Sequence, residues 1–391
     1  MTFCKSGATM HDFIICGGTL VDRLSLRKNN CIAVSDGKIS LIDSSCQHNA
    51  RECINAHGLF ISPGLIDLHV HGGNGADSFD CSHDSIDRIS VFHGERGTTG
   101  LILSLGASSF ERTALALERA ACVRGMESGA AIIGFHLEGP FLNPCFCGAL
   151  DSSHFLMPDS KAAGELLAAG RGNIKIVTVA PELPGCLQLI EFLSSSGIVV
   201  SIGHSAASFE ETLRAKAAGL RHVTHIFNAM RGMHHREPGP AGAALSSEDL
   251  SVEVIADGLH VHRFFLKLLW QTKERNLALV SDCIAAAGMP DGQYRLAGRQ
   301  ISLKGGRAIA GDGILAGSTA TLLDCVKTMV LSGLSIPQAI YFATENPARI
   351  LSLNRKGRLS PGFDADIMIF DPDLTPRLVV AGGRIIYRKN I

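Results

Sequence analysis

Short apolar runs alternate with longer stretches of helical spacing from residue 63 to about residue 350. This alternation is typical of βα units arranged around a parallel sheet. The apolar runs cover residues 65–70, 99–105, 131–137, 174–180, 198–202, 222–226, 252–256 and 277–280. The stretches between them include helix candidates at 111–124, 209–218 and 262–275, where apolar residues recur three or four positions apart. Eight such units predict an α/β fold with a closed (β/α)8 TIM-type barrel.

Both ends of the chain have a different pattern from this central part, with short β-rich runs and no helical spacing between them. The β-rich runs there cover residues 13–16, 31–34 and 39–42 near the start, and 366–370, 378–380 and 384–387 near the end. Glycine-containing turn signals such as Asp36-Gly37 and Gly382-Gly383 separate them. Neither end alone has enough strands to bury a face. We therefore predict a small β-sandwich-like domain formed by both chain ends, residues 1–61 with 355–391, beside a barrel of residues 62–354.

The composition excludes several classes of function. Of the 391 residues, 46% are hydrophobic and 19% are charged, which supports a large core and excludes a disordered chain. Lysine and arginine number 36 against 37 acidic residues, so the net charge of -1 creates no field that would attract nucleic acid or an anionic membrane. We expect no nucleic-acid partner and no membrane partner.

The cellular location of the protein is predicted from its N-terminal residues, its hydropathy and its cysteines. No apolar stretch approaches the roughly 20 residues of a bilayer-spanning helix, and residues 1–11 contain no secretion signal. The twelve cysteines form no Cys-x-x-Cys pair, which argues against a disulfide framework and against a thiolate metal site. A cytoplasmic protein with reduced thiols is the resulting expectation.

Side chains that can bind metals stand at the carboxyl ends of several predicted strands, where barrels of this kind build their active sites. In chain order they are His69, His71, Glu138, His204, His225, Asp257, His260 and Asp282. Imidazoles and carboxylates without thiolates are the ligands that suit Zn, Fe, Co or Mn. The sequence therefore predicts a catalytic site for a divalent metal.

Each of these residues has an ordinary structural interpretation when it is taken alone. The pair His69 and His71 lies on one side of a strand because strand side chains alternate, yet such a pair often binds no metal. Glu138 could cap the element that follows it, and His204 and His225 could be buried core histidines. The coincidence of several strand ends favours a shared metal site over these separate explanations.

Asp282 ends the eighth predicted strand. A carboxylate at that position can take a proton from water and later deliver it to a leaving nitrogen, which is general base and then general acid catalysis. The rival interpretation makes Cys283 a nucleophile, but no orienting histidine and asparagine are evident for it. His222 lies near the start of its strand, and we assign it no role.

The loop of residues 233–239 follows the sixth predicted strand and contains Arg236. A guanidinium can bind a phosphate or carboxylate with two parallel hydrogen bonds, and His260 could assist it. The alternative for Arg236 is a surface ion pair, for instance with Glu237. The sequence thus offers an anion-binding element near the metal site.

Taken together, seven segments resemble the N-acetylglucosamine-6-phosphate deacetylases of the amidohydrolase superfamily. The segments are residues 63–72, 136–141, 203–205, 224–230, 256–260, 281–282 and 315–318. The resemblance spans nearly the whole chain. It implies a metal-dependent hydrolase of amino-sugar metabolism that removes the acetyl group from N-acetylglucosamine 6-phosphate, giving glucosamine 6-phosphate and acetate.

The resemblance also implies roles for individual residues. The implied ligands are Glu138, His204 and His225 for one divalent metal, and His69 and His71, with Asp282, for a second. Zinc is the expected ion, with one or two per subunit, and Asp282 is the implied acid and base. The implied substrate contacts are Ala149, Asn228, Ala229, Arg236, His260, Leu315, Ala316 and Gly317. Arg236 matches an arginine that reaches the phosphate from a neighbouring subunit, which implies a homodimer.

One position departs from the pattern of the family. Many members have a histidine after a Gly-Ala pair in the loop that follows the metal-binding glutamate, whereas here Gly148-Ala149 precedes Leu150. That histidine helps to polarise the acetyl carbonyl. We therefore expect polarisation in this protein to depend on a second cation at His69 and His71.

Three alternatives stay open. The substrate could be N-acetylgalactosamine 6-phosphate, because the two sugars differ at one hydroxyl and the loop of residues 233–239 also resembles that of galactosamine-phosphate deacetylases. A nucleobase deaminase or cyclic amidase of the same superfamily is disfavoured by Glu138 and Arg236. A non-catalytic scaffold of the same fold is disfavoured because such proteins usually lose metal ligands, and every candidate ligand is present here.

Overall fold

The computed structural model describes residues 10–23, 25–44, 48–296, 299–311 and 313–391. The strands are β1 (His11–Asp22), β2 (Ser25–Ser35), β3 (Lys38–Asp43), β4 (Ala50–Asn55), β5 (Phe60–Pro63), β6 (Leu65–Val70), β7 (Gly72–Gly73), β8 (Ala76–Asp77), β9 (Thr98–Gly106), β10 (Ala131–Glu138), β11 (Ile174–Val179), β12 (Val199–Ile202), β13 (His222–Val223), β14 (Ser251–Ile255), β15 (Leu277–Val280), β16 (Gly292–Leu296), β17 (Arg299–Lys304), β18 (Arg307–Ala310), β19 (Ile367–Phe370), β20 (Pro376–Ala381) and β21 (Arg384–Arg388). The α-helices are α1 (His83–Gly94), α2 (Phe110–Val123), α3 (Ser160–Ala169), α4 (Cys186–Ser195), α5 (Phe209–Ala218), α6 (Gly239–Ser246), α7 (Arg263–Thr272), α8 (Leu322–Leu331), α9 (Ile336–Phe342) and α10 (Glu345–Ile350).

Parallel strands in the order β15-β14-β13-β12-β11-β10-β9-β6 form the barrel wall. The first and last strands meet at a seam, where the main-chain N–H of Asp282 donates to His69 (3.0 Å) and that of His71 donates to Cys283 (2.7 Å). Every residue of β6, β9, β14 and β15 is buried, as expected for parallel strands covered by helices. The predicted (β/α)8 barrel is confirmed.

Local sequence signals place some helices at their predicted bounds. The helix α5 begins and ends where the periodicity predicted. The Ser208 side chain accepts the main-chain N–H of Glu211, and the Glu211 carboxylate accepts that of Ser208. This reciprocal capping satisfies two free N–H groups of the first turn. Gly219, with a φ of 123°, ends the helix in a conformation that side chains disfavour.

Both chain ends join in one mixed sheet, as predicted. The strand order is β21-β20-β19-β5-β1-β2-β3, and β4 pairs with β1. Apolar side chains from both ends form its own core, which includes Phe13, Ile32, Ile54, Ile367 and Val380. The antiparallel pair of β5 with β19 is the link that brings the two ends of the chain together. The exact division at residues 61, 62, 354 and 355 stays a prediction.

A three-stranded antiparallel sheet of β16, β17 and β18 follows the last barrel strand, and the sequence analysis did not predict it. Its side chains pack with Ile284 and Ala316 in a small separate core near the barrel mouth. Arg299 of β17 donates from Nη1 to the main-chain oxygens of Gly148 and Leu150, at 3.3 Å each. The sheet therefore supports the loop that follows β10.

The state of the cysteines differs at one position from the expectation. Most of the described cysteines are free thiols, but Cys31 is disulfide-bonded, so the expectation of reduced thiols throughout was wrong at this position. Cys4 and Cys46 lie outside the described residues.

Among the described helices, none has both the length and the apolar character needed to cross a bilayer.

Candidate metal centre and active site

Three of the predicted ligands, each from a different strand end, meet at the barrel mouth. His204 Nε2 and His225 Nε2 each lie 2.9 Å from Glu138 Oε1, and the two imidazole nitrogens lie 3.2 Å apart. All three side chains are buried. The fold thus brings together Glu138 and His204, which are 66 residues apart in the chain. The ligand atoms of Glu138, His204 and His225 form one compact group.

His69 and His71 form a second group with the same carboxylate. Their Nε2 atoms lie 3.0 Å apart, and His71 Nε2 lies 3.2 Å from Glu138 Oε2. Asp282 Oδ1 lies 3.5 Å from His69 Nε2 and 3.4 Å from His71 Nε2. Both groups therefore share the Glu138 carboxylate, whose Oε1 also lies 3.7 Å from His69 Nε2.

The hydrogen-bonding pattern of the imidazoles fits bound cations. His204 Nδ1 donates to the main-chain oxygen of Phe146 (2.9 Å), and His69 Nδ1 donates to the Glu253 carboxylate (2.7 Å). In neutral rings the Nε2 atoms then carry lone pairs, and these point at Glu138 and at one another. Facing lone pairs repel one another unless a positive charge, carried by a proton or a metal ion, lies between the atoms. The donor set of imidazoles and a carboxylate is one that divalent zinc accepts.

The backbone is strained where the ligands leave their strands. His204, His225 and Asp282 have φ values of 48°, 28° and 49°, and such left-handed conformations cost side-chain-bearing residues about 1–3 kcal/mol each. The turns aim the three side chains into the mouth. They also explain why the strand predicted over 222–226 ends at Val223, since the chain turns sharply before His225.

The charges of these buried groups stabilise one another. Burial opposes ionisation of Glu138, but the nearby imidazoles of His69 and His204 outweigh it and hold the pKa of Glu138 well below its usual value. Burial also opposes protonation of His69, but the carboxylates of Glu253 and Asp282 outweigh it and raise its pKa well above normal. The mouth therefore holds ionised carboxylates away from water, which favours cation binding.

A cavity of about 390 Å³ opens in front of both groups. The predicted site residues that line it are His71, Glu138, Ala149, His204, His225, Asn228, Ala229, His260, Asp282, Leu315 and Gly317. His69 lies fully buried directly behind His71. The Ala316 side chain instead packs into the small core of β16–β18. Arg236 is exposed outside this cavity, where its Nη1 lies 3.0 Å from His235 Nε2.

Cys283 does not have the environment of a nucleophile. Its side chain is fully buried, and burial, with the neighbouring Asp67 carboxylate, raises the pKa of the thiol well above its usual value. A reactive cysteine needs a lowered pKa and access to substrate. The geometry therefore favours Asp282, which lines the cavity, over Cys283 as the group that reacts.

Two further carboxylates hold site residues. The sequence placed Asp257 among the candidate metal ligands, whereas Glu253 was missed. Asp257 lies 2.7 Å from His260 Nδ1 and also accepts the main-chain N–H of His260. Burial opposes protonation of His260, but Asp257 outweighs it and raises the pKa of the imidazole. Glu253, in β14, contacts His69 and also His222, to which the sequence analysis assigned no role. An acidic residue inside an otherwise buried apolar strand was the available signal for Glu253.

His93 of α1 holds the segment directly after His71. Its Nε2 donates to the main-chain oxygen of Gly72 (3.0 Å), and its Nδ1 has no hydrogen-bond partner among the described residues. Burial lowers the pKa of His93 from 6.5 to about 4. Between these values the unfolded chain binds a proton that the folded protein rejects, so stability falls as the pH drops through this window.

We expect His93→Gln to reduce this pH dependence. A glutamine can still donate to Gly72 but does not titrate, whereas His93 costs up to about 3 kcal/mol of unfolding free energy between pH 6.5 and pH 4. Urea unfolding of both metal-free proteins at pH 7 and pH 4.5 measures the effect. The variant should lose less stability than the wild type on acidification; an identical loss would contradict the assignment.

Comparisons with known proteins identify the family of the chain. The sequence model of the Amidohydrolase family matches residues 60–386. The N-acetylglucosamine-6-phosphate deacetylase of Bacillus subtilis is 34% identical over 369 residues, covering 92% of this chain and 93% of the relative. This chain belongs to the N-acetylglucosamine-6-phosphate deacetylase family of amidohydrolases. The N-acetylgalactosamine-6-phosphate deacetylase of Escherichia coli O157:H7 is 35% identical over 329 residues, covering 83% of this chain and 87% of the relative.

Solved structures of the deacetylase family have the same fold. An N-acetyl-D-glucosamine-6-phosphate deacetylase mutant from Mycobacterium smegmatis, in complex with N-acetyl-D-glucosamine-6-phosphate, superposes with a TM-score of 0.90 at 32% identity. The match covers 97% of this chain and all of that chain. The family member from Thermotoga maritima superposes with a TM-score of 0.87 at 30% identity and covers 96% of this chain.

Within this deacetylase-family fold, Leu150 forms an apolar part of the cavity wall. Its side chain is 5% exposed and packs over Gly106 at the end of β9. A Cβ atom on Gly106 would come within 2.9 Å of Leu150 Cδ2. Leucine has no hydrogen-bond donor in its side chain, so the Leu150 side chain cannot polarise a carbonyl oxygen.

Proposed function

We propose that the protein removes the acetyl group from N-acetylglucosamine 6-phosphate and releases glucosamine 6-phosphate and acetate. The observation that carries this proposal is the meeting of Glu138, His204 and His225 at the barrel mouth, beside Asp282. The relatives that share the fold over nearly the whole chain are named for this reaction. The cytoplasmic location stays a prediction from the sequence.

The proposed metal ligands are Glu138, His204 and His225 for one zinc ion, and His69 and His71, with Asp282, for a second. A divalent cation held there would supply Lewis-acid stabilisation of a developing oxyanion and lower the pKa of water. Glu138 presents Oε1 to His204 (2.9 Å) and Oε2 to His71 (3.2 Å), and this division of its two oxygens supports two ions. A fully active enzyme with one tightly bound ion would contradict this stoichiometry.

Asp282 is proposed to move the proton. Its carboxylate would accept a proton from the attacking water and donate it to the nitrogen of the departing amine. The proposed contacts to the sugar phosphate are Ala149, Asn228, the main chain at Ala229, His260, Leu315, Ala316 and Gly317. His260, whose pKa is raised by Asp257, would present a cationic ring to an anionic or hydroxyl-bearing substrate.

The second candidate substrate is N-acetylgalactosamine 6-phosphate, and the similarity to the Escherichia coli O157:H7 relative supports it. Acetate release from both N-acetylhexosamine 6-phosphates, before and after treatment with a chelator, tests both candidates. We expect the glucosamine epimer to react faster and chelation to stop both reactions. Faster reaction of the galactosamine epimer would reverse the assignment, and no acetate from either would refute a deacetylase.

We propose a homodimer in which Arg236 reaches the active site of the neighbouring subunit. Arg236 and its loop are exposed and lie outside the cavity of their own chain. An apolar patch, formed by Phe264, Phe265 and Phe227, is also exposed in part. Phe264 is 64% exposed, and the Phe265 ring stacks obliquely on Phe227 at 4.9 Å. A contact between subunits would cover these rings.

Subunit mixing tests the contribution of Arg236. Arg236→Ala should raise KM for the phosphorylated substrate while leaving kcat little changed, because the lost contact binds the phosphate and not the reacting atoms. At substrate concentrations well below the KM of Arg236→Ala, dimers formed from Arg236→Ala and Asp282→Asn chains should be more active than either variant, since one of their two sites combines an intact Asp282 with the partner's arginine. Mixed preparations no more active than the separate variants would contradict this arrangement.

A further inference from the structure

Glu253 contacts residues of both candidate metal groups from beneath them. Its side chain is fully buried in the barrel. Glu253 Oε1 lies 2.7 Å from His69 Nδ1 and accepts the main-chain N–H of His225 at 3.0 Å. β14, which carries Glu253, and β6, which carries His69, are separated by β15 at the barrel seam. One carboxylate oxygen therefore ties together two strand ends that are not neighbours in the sheet.

The second oxygen of this carboxylate is also held. Glu253 Oε2 lies 3.2 Å from His222 Nε2, and His222 Nδ1 lies 2.7 Å from the Ser251 hydroxyl. Ser251 in turn donates to the main-chain oxygen of Arg221 (3.0 Å). With both oxygens engaged, the carboxylate has a fixed orientation, and His222 is the group that fixes its far side.

The contact with His69 determines which ring nitrogen faces the metal group. An ionised carboxylate can only accept hydrogen bonds, so the proton of the His69 ring resides on Nδ1. Nε2 is then free to bind a cation, and it is the atom that lies 3.0 Å from His71 Nε2. A carboxylate behind a metal-binding imidazole also makes the ring a stronger ligand.

The contact with His225 acts on the main chain. His225 has a φ of 28°, a conformation that residues with side chains rarely adopt. Its N–H donates to Glu253 Oε1, and the next N–H, that of Ile226, donates to the main-chain oxygen of Glu253. These two hydrogen bonds hold the turn in the geometry that aims the His225 ring at Glu138.

We propose that Glu253 is a positioning residue for the metal centre, which holds His69 in the Nδ1–H tautomer and holds the turn at His225, with His222 as its support. This inference rests on the metal site described under the proposed function. A purely structural role would have a different consequence, because loss of Glu253 would then lower stability without changing the affinity of the folded protein for metal.

The test compares zinc binding by the full-length wild type, Glu253→Gln and Glu253→Leu. Dissociation constants are measured by competition with a chromophoric chelator, and thermal unfolding of the metal-free proteins is measured alongside. Glutamine keeps the size and one acceptor oxygen but loses the charge, so we expect roughly tenfold weaker binding of the ion at His69. Leucine loses the acceptor as well, and we expect a loss of about a hundredfold.

Glu127→Gln is the matched control. Glu127 is another buried carboxylate that accepts main-chain N–H groups, those of Ile132 (2.9 Å) and Gly125 (2.6 Å), but it is not among the residues that line the active-site cavity. The zinc affinity of the Glu127→Gln protein should equal that of the wild type, even if the stability of the variant is lower. The control thus separates a loss of stability from a loss of metal affinity.

Each outcome bears on one of the two proposals. Wild-type affinity in both folded Glu253 variants, or equal weakening in Glu127→Gln, would overturn the positioning role. If Glu253→Leu does not fold, the glutamine variant decides alone. A wild-type protein that binds no zinc would refute the proposed metal centre, and with it the positioning role. Failure of the positioning role alone is recognised because the wild type then binds zinc and the Glu253 variants bind it equally well.

Discussion

Replacing Asp282 with asparagine is expected to lower kcat for acetate release by about a hundredfold to ten-thousandfold. The amide has nearly the size of the carboxylate, but it cannot accept a proton from water and pass it to a leaving nitrogen. The backbone should tolerate the change, because Asp282 has a φ of 49° and asparagine is enriched in this region among non-glycine residues. The main-chain hydrogen bonds of residue 282 to His69 and Ser318 stay available.

The measurement pairs the kinetics of acetate release with the zinc content of the purified variant. The ion at Glu138, His204 and His225 should be retained, because Asp282 is not part of that group. Asp291→Asn serves as a control, since Asp291 is exposed and its carboxylate accepts only the main-chain N–H of Gly305 within the described hydrogen bonds. Near-normal kcat in Asp282→Asn would refute the assignment of Asp282 as acid and base.

Glu138→Gln is expected to abolish binding of both ions and to lower kcat by about a thousandfold or more, since metal assistance is worth several kcal/mol in the transition state. Glu138 Oε1 faces His204 and His225, whereas Oε2 faces His71. A neutral amide presents only one weak acceptor oxygen. Its NH₂ group would instead donate to imidazole nitrogen atoms that otherwise face a cation. One substitution should therefore disable both groups.

Thermal unfolding in the presence and absence of zinc provides a readout that is independent of activity. A ligand that binds only the folded protein raises the unfolding temperature, so zinc should stabilise the wild type and Glu127→Gln but not Glu138→Gln. The metal-free variant should be about as stable as the metal-free wild type, because the amide can hydrogen-bond to the facing imidazoles. A normal zinc-induced shift in Glu138→Gln would contradict the shared role of this carboxylate.

Periodicity along the chain was sufficient to predict most of the barrel. The run 277–280 coincides with β15, and the helix over 209–218 coincides with α5, because alternating burial and helix capping act over a few neighbouring residues. The run 222–226 was predicted too long. Its last residues form a strained turn that Glu253 holds in place, and that contact depends on a strand about thirty residues further on.

The meeting of metal-binding side chains from several strand ends was also predictable from the sequence. In a parallel barrel all strand ends of one kind open to one mouth, so His69, Glu138 and His204 could be assigned to a common site before their distances were known. Glu253 escaped this reasoning because it lies within its strand and acts through other side chains. Asp257 was among the strand-end candidates, but its role as the partner of His260 was missed, since partners of that kind depend on packing. The sheet of β16–β18 was also missed, since its strands are short and lie between loops.

The amino-acid sequence by itself determined the class of the fold, the order of its units and the kind of atoms available to bind a metal, because these depend on local periodicity and residue chemistry. Only the tertiary structure decided that Glu138 faces two groups of imidazoles, that Arg236 lies outside the cavity of its own chain, and that Glu253 supports His69 and His225. Those relations depend on the closure of the barrel, which brings together atoms up to 184 residues apart in the chain, and no local pattern encodes such distances.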